Sequence, residues 1–188
     1  MARWQPDAYG RLQQAALDLF SEQGFDGTTV AEIAQRAGLT KRTYFRHFAD
    51  KREVLFSGSE LLEELVVAEL SASPRSLAPL DAVAAGLKIA AETMFEQRRE
   101  AAARRQLIID ANSELKEREI IKRSSLTDAI AAALHDHGVD TVAATLVASA
   151  ATTIFRVAFA QWTSPDSQKR LAQLIDDALE NFRNATTS

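Results

Sequence analysis

Eight consecutive residues, Thr40-Lys41-Arg42-Thr43-Tyr44-Phe45-Arg46-His47, crowd hydrogen-bond donors and positive charge into a short stretch. Arginine and lysine pair with phosphates and with the acceptor edge of guanine, and hydroxyls bond bases or phosphates. The chemistry offered is recognition of nucleic acid rather than the making or breaking of bonds. At helical spacing Tyr44 and Phe48 share one face, while Lys41, Arg42, Phe45 and Arg46 lie mostly opposite. The plainer alternative is a small helical hairpin with a solvated basic face.

The elements that must position these residues can be read on either side. Thr29-Val30-Ala31-Glu32 matches a capping box, so a helix starts at Val30. Val30, Ile33, Ala34 and Ala37 fall on its inner face, and Gly38 supplies a left-handed residue to end it. Thr40 caps the next helix, Lys41 to Phe48. Ala34 and Gly38 are small where the two helices must cross. Upstream, a helix opened by Pro6 or Asp7 carries Leu12, Ala15, Ala16, Leu19 and Phe20 at helical spacing and ends at Gly24. It completes a three-helix module, with Phe25 plugging the core. Arg3 and Trp4 precede it as candidates to lie against DNA or against this helix.

The ordered run Gly24-Phe25-Asp26-Gly27-Thr28-Thr29-Val30, Ile33-Ala34, Ala37-Gly38-Leu39-Thr40, Thr43-Tyr44-Phe45-Arg46-His47-Phe48 and Asp50-Lys51 resembles the TetR family of bacterial transcriptional regulators. The specific match covers about residues 8–56. The resemblance implies an all-α protein of about nine helices. Its helix-turn-helix DNA-binding domain would occupy residues 1–52 and a helical effector-binding and dimerisation domain residues 53–188. It places Thr29, Thr40, Lys41, Arg42, Thr43, Phe45, Arg46, His47 and Lys51 at or beside double-stranded operator DNA. Lys51, at the start of a fourth helix capped by Asp50 and running to about Leu70, is expected to meet a phosphate. Many members carry Tyr at the position of Phe45, which cannot donate that hydroxyl and would instead touch a thymine methyl or a sugar. The expected function is a sequence-specific transcriptional regulator, a homodimeric repressor released by a small hydrophobic effector. The alternative is a helical ligand-binding or protein-interaction module without specific DNA binding.

Composition agrees with a helical protein: 188 residues with 7 Gly, 4 Pro and no Cys. Thiolate catalysis, disulfides and Cys-ligated zinc are thereby excluded. Net charge is −4, but residues 1–52 hold 8 basic and 6 acidic residues, so positive charge gathers in the segment that would meet phosphates. No uninterrupted apolar run reaches the roughly 18 residues of a membrane span, and a basic-then-apolar leader pattern is missing. The expectation is a cytoplasmic protein with no membrane partner.

No phosphate-cradling glycine loop, His-Glu-x-x-His or Gly-x-Ser-x-Gly occurs, so an enzyme is not expected. The pairs Asp176-Asp177 and Glu63-Glu64 read as solvated faces. His135-Asp136-His137 has no evident partner set and suits the negative end of a helix, so neither a metal nor any other cofactor is assigned.

Downstream, Ser71 to Ser76 is a linker around Pro74. Further helices are expected at about 79–97, 98–113, 113–137 and 140–162, with a last one after Pro165. The helix at 140–162 is apolar nearly all round and should be buried on several sides. Arg156 within it needs a partner, a route to water or an anionic ligand. The expected effector pocket is lined by Leu87, Met94, Leu107, Ile108 and Phe155, with Arg156 as polar anchor. The long apolar helices with few internal polar side chains argue for a greasy ligand, and Arg98, Arg99, Arg104 and Arg105 are cationic candidates for an anionic headgroup. A fatty acid or acyl thioester is therefore the first choice and a hydrophobic drug or aromatic compound the second. The dimer face is expected along Leu171, Leu174, Ile175, Ala178, Leu179 and Phe182 of the last helix together with the Ala-rich helix before it, which the resemblance pairs with their symmetry mates as a four-helix interface.

Overall fold

The computed structural model describes residues 7–186; Arg3, Trp4 and Pro6, with the roles expected of them, lie outside this range. Among the described residues there are ten α-helices, one π turn and no strand. In order they are α1 (Ala8–Gln23), α2 (Val30–Arg36), α3 (Lys41–His47), α4 (Glu53–Phe56) and α5 (Ser59–Ala72). Then come α6 (Pro79–Ala90), the π turn (Ala91–Phe95), α7 (Arg99–Asp110), α8 (Ser113–Asp136), α9 (Thr141–Thr163) and α10 (Leu171–Thr186). The nine expected helices are all present, the fourth in two pieces. At the break the Ser57 carbonyl accepts from the Tyr9 hydroxyl at 3.1 Å and the Ser57 hydroxyl oxygen accepts from Gln13 Nε2 at 2.9 Å, which ties the junction beside Gly58 to α1.

The chain packs as two units. One holds the described residues up to Gly58 together with Arg104–Glu119; the other holds Ser59–Ala103 and the described residues from Ile120 onward. The first boundary falls after Gly58 rather than after residue 52, because Val54, Leu55 and Phe56 are buried in the first unit's core.

In the first unit α1 supplies Leu12, Ala16, Leu19 and Phe20 to a core shared with Phe25, Ile33, Tyr44 and Phe48. Ile108, Ile109 and Leu115 join the same core from α7 and α8. Arginines fix that segment: Arg104 pairs with Asp18, Arg105 donates to the Leu55 carbonyl at 2.6 Å, and Arg118 pairs with Glu53.

In the second unit α5 and α6 approach closely. A Cβ on Gly86 would stand 2.9 Å from the Val66 carbonyl oxygen, so only glycine fits there. At the end of α6 the Glu96 amide bonds the Ala91 carbonyl, five residues back. Phe95 thereby joins an aromatic cluster with Phe155, Phe159 and Trp162. Among the described residues α9 alone is long and apolar enough to cross a membrane, its mean hydropathy being 1.7, although Arg156 and scattered hydroxyls interrupt any continuous apolar run. In this fold it packs against α6 and α10.

Candidate nucleic-acid interface

The helix-turn-helix is built as its sequence dictates. Thr29 Oγ1 accepts from the Glu32 amide at 3.3 Å and the Glu32 carboxylate accepts from the Thr29 amide at 2.8 Å, a complete capping box. Glu32 also accepts from the Thr29 hydroxyl, and these bonds hold its carboxyl below the usual carboxylate range. Gly38 takes a left-handed φ of 68°, and the Gly38 and Leu39 amides close α2 on Gln35 and Ala34. Thr40 Oγ1 then accepts from the Thr43 amide at 3.2 Å and starts α3.

Helix α3 has two distinct sides. Tyr44 and Phe48 are buried, their rings 5.1 Å apart, and Tyr9 of α1 stacks on Phe48 at 5.3 Å. Lys41, Arg42, Phe45, Arg46 and His47 are exposed, and Thr43 is half-buried. Phe45 is 53% exposed, edge-on to Tyr44, which puts an aromatic ring outside the core of this unit. Thr40, Arg42, Thr43, Phe45 and Arg46 line one open concavity. Among the described residues Lys41, Arg42 and Arg46 form no ion pair, so three cations face outward uncommitted. A rigid helix presenting free cations and hydroxyls has the form needed to enter a major groove.

Two expected members of this face are engaged elsewhere. The Thr29 hydroxyl is taken up by the capping box. Lys51 is half-buried, and its ammonium donates to the carbonyls of Phe25 at 2.7 Å and Thr28 at 3.0 Å while sitting 4.0 Å over the Phe25 ring. Two of the three ammonium donors are thus engaged within the unit. Asp50 does cap the turn into α4, accepting from the Arg52 and Glu53 amides. Burial opposes ionisation of Asp50, but Arg52 and those two amides outweigh it and hold its pKa below normal.

The expected effector residues divide between the two units. Leu87 is buried in the second unit, where Met94 and Phe155 pack partly buried against the same core. Ile108 belongs to the first unit's core, because α7 turns that side toward α1. Leu107, a quarter-turn or so away on the same helix, is 70% exposed. Arg156 is exposed. The candidate headgroup cations are mostly occupied: Arg99 bonds the Ser164 and Ser167 carbonyls, and Arg104 and Arg105 brace the first unit. Burial lowers the Arg105 pKa, with Glu119 acting against it. Arg98 remains exposed.

Of the expected dimer residues, Leu171, Leu174, Ile175 and Leu179 are buried in their own chain's core, against α6 and α9; Ala178 is half-buried and Phe182 is exposed. On α9, the other helix expected in that interface, one apolar side is uncovered. Val142, Leu146 and Val157 are exposed beside Thr145, Ser149 and Thr153. The signal in the sequence was the recurrence of small polar residues along that one side of an otherwise apolar helix.

Comparison with known proteins agrees with this architecture. A family model described as bacterial regulatory proteins, tetR family, matches residues 12–57, and one described as the MftR C-terminal domain matches residues 77–186. The chain is 37% identical over 78 residues to the HTH-type transcriptional regulator TcmR of Streptomyces glaucescens, covering 42% of this chain and 34% of TcmR. It thus spans about a third of the length of the curated relatives it matches. Its fold is shared with a transcriptional regulator of Aquifex aeolicus, at a TM-score of 0.58 and 18% identity, over 95% of this chain and 99% of that one. It is also shared with FadR of Bacillus subtilis, solved in complex with stearoyl-CoA, at a TM-score of 0.53 and 18% identity, over 92% and 96% of the two chains. With one family model on the helix-turn-helix and another on more than half of its length, the chain belongs to the TetR family of bacterial regulatory proteins.

Proposed function

We propose that this protein is a cytoplasmic, sequence-specific regulator of transcription that binds operator DNA as a two-fold dimer and leaves it when a small apolar effector binds. The observation that carries this reading is the outward face of α3. Arg42, Lys41 and Arg46 stand free of internal ion pairs beside Thr40, Thr43 and an exposed Phe45. Repression is the family's usual mode. The test is titration with duplexes selected from a random pool, at two salt concentrations. A specific regulator keeps a sequence preference as salt rises, whereas a merely basic helix loses binding without ever showing one.

The dimer is proposed through α9. Its exposed Val142, Leu146 and Val157 form an apolar strip that a second copy could cover, with Phe182 of α10 also exposed. The effector is proposed as a fatty acid or acyl thioester held among the apolar helices of the second unit, near Leu87, Met94 and Phe155. The shared fold with FadR of Bacillus subtilis, which holds stearoyl-CoA, supports that ligand class. Operator release by acyl thioesters of graded chain length tests it; release independent of chain length rules the class out.

A further inference from the structure

We infer that Lys51 and Tyr44 are positioning residues that set the recognition helix against the rest of the DNA-binding module. The inference rests on the DNA-binding reading above and concerns how that face is held. Tyr44 lies on the inner side of α3 and is fully buried, yet it is a phenol where a phenylalanine would fill the same space. Its hydroxyl stands 3.2 Å from the Asp50 carbonyl oxygen and 3.3 Å from that of Lys51, a shared bond to the segment that follows α3. Burial, with the charges of Asp50 and Glu53 adding to it, pushes the phenol pKa upward, so the proton it donates is retained.

Lys51 carries the linkage onward. Its ammonium bonds the carbonyls of Phe25 and Thr28, on the turn that delivers Thr29 to the start of α2. That turn is itself closed by the buried Thr28, whose hydroxyl donates to the Gly24 carbonyl at 2.8 Å. The path therefore runs from α3 through Tyr44 to residues 50–51, through the Lys51 side chain to the turn, and through the capping box into α2. The two helices of the motif are joined at their near ends by the Gly38 turn and at their far ends by this polar bridge. At the far end of α3 the bridge adds directional bonds to apolar packing, which is itself non-directional. Removing the ammonium also leaves two partly enclosed carbonyls without this donor.

A phosphate-contacting lysine and a positioning lysine differ in what they change. Loss of a phosphate contact lowers affinity for every duplex and flattens the salt slope by about 0.9. Loss of a positioning group misaligns base contacts, so it lowers the ratio of specific to non-specific affinity and leaves the slope alone. Simple unfolding lowers both affinities together and leaves the ratio unchanged.

The experiment uses the full chain with Lys51→Met and, separately, Tyr44→Phe, on a duplex selected by the wild type and on an unrelated duplex. Binding is measured across a salt series, well below each variant's thermal midpoint. The expected result is a specificity ratio about tenfold lower in each variant, the size of one disrupted base contact, with the salt slope unchanged. A flattened slope with an intact ratio in Lys51→Met, or wild-type ratios in both variants, overturns the inference. Wild-type protein that shows no preference between the duplexes overturns the DNA-binding reading and this inference with it.

Discussion

Arg104 of α7 donates from Nη2 to the Asp18 carboxylate of α1 at 2.8 Å. The same guanidinium also reaches the Ser21 hydroxyl, so an arginine that reads in sequence as a ligand cation is in fact a brace within the first unit. Each side chain of the pair is about one-third exposed, at 33%. A double-mutant cycle with Arg104→Ala and Asp18→Ala, followed by urea unfolding, is expected to give a coupling of about 0.5–1 kcal/mol, as for a partly solvated ion pair. A coupling indistinguishable from zero would remove the brace.

The capping box makes a stability prediction. Thr29→Ala removes both the acceptor for the Glu32 amide and the donor to its carboxylate. The expected loss is about 1 kcal/mol in urea unfolding. Thr29→Ser keeps the hydroxyl and should stay near wild type.

Acid should weaken the same module. Glu22, bonded by Arg36 at 3.0 and 2.8 Å, has a pKa lowered first by that hydrogen bond, and Glu32 has one lowered by Thr29. A folded-state pKa below the unfolded value means stabilisation that is complete above the unfolded value of 4.5 and is lost as pH falls through the folded one. The thermal midpoint should therefore hold steady down to about pH 5 and then drop. Glu32→Gln should shrink that drop; an unaltered acid profile in this variant would discount the carboxylate's part.

The two apolar faces of the C-terminal helices should respond differently. Leu174 is buried and Ile175 fully so in their own chain, so Ile175→Ala is expected to cost about 2–5 kcal/mol of stability in each subunit. Leu146 is 66% exposed, so Leu146→Glu should leave the subunit folded with its helical circular dichroism intact. Light scattering on that variant should show a loss of dimer. A dimer persisting at micromolar concentration would place the interface elsewhere.

Arg42 is the arginine best placed to read bases, near the start of α3 and on its outer side. Arg42→Ala is expected to relax sequence preference by about 1–3 kcal/mol at the position it reads. Competition binding against single-base variants of a selected duplex measures this. A uniform loss across all variants would make Arg42 a phosphate contact.

Local rules determined much of this protein from the sequence alone. The Thr29–Glu32 capping box, the left-handed Gly38, the Thr40 cap and the inward Tyr44 and Phe48 depend on residues within a few positions of one another. Such features are fixed by backbone geometry and helical period before any tertiary contact forms. Tertiary structure decided whatever depends on which helix lies across from which. Leu107 and Ile108 are adjacent and equally apolar, yet one is exposed and the other is core, because only one side of α7 meets α1. The stripe of α10 and the body of α9 are both apolar, but α9 and α6 together cover the former while one side of the latter stays open. Lys51 reads as a solvated cation at a helix start, and its ammonium finds two carbonyls 26 and 23 residues back in the chain. Periodicity reports that a side chain has an apolar or a charged neighbourhood; it carries no information on the partner that chain folding brings to it.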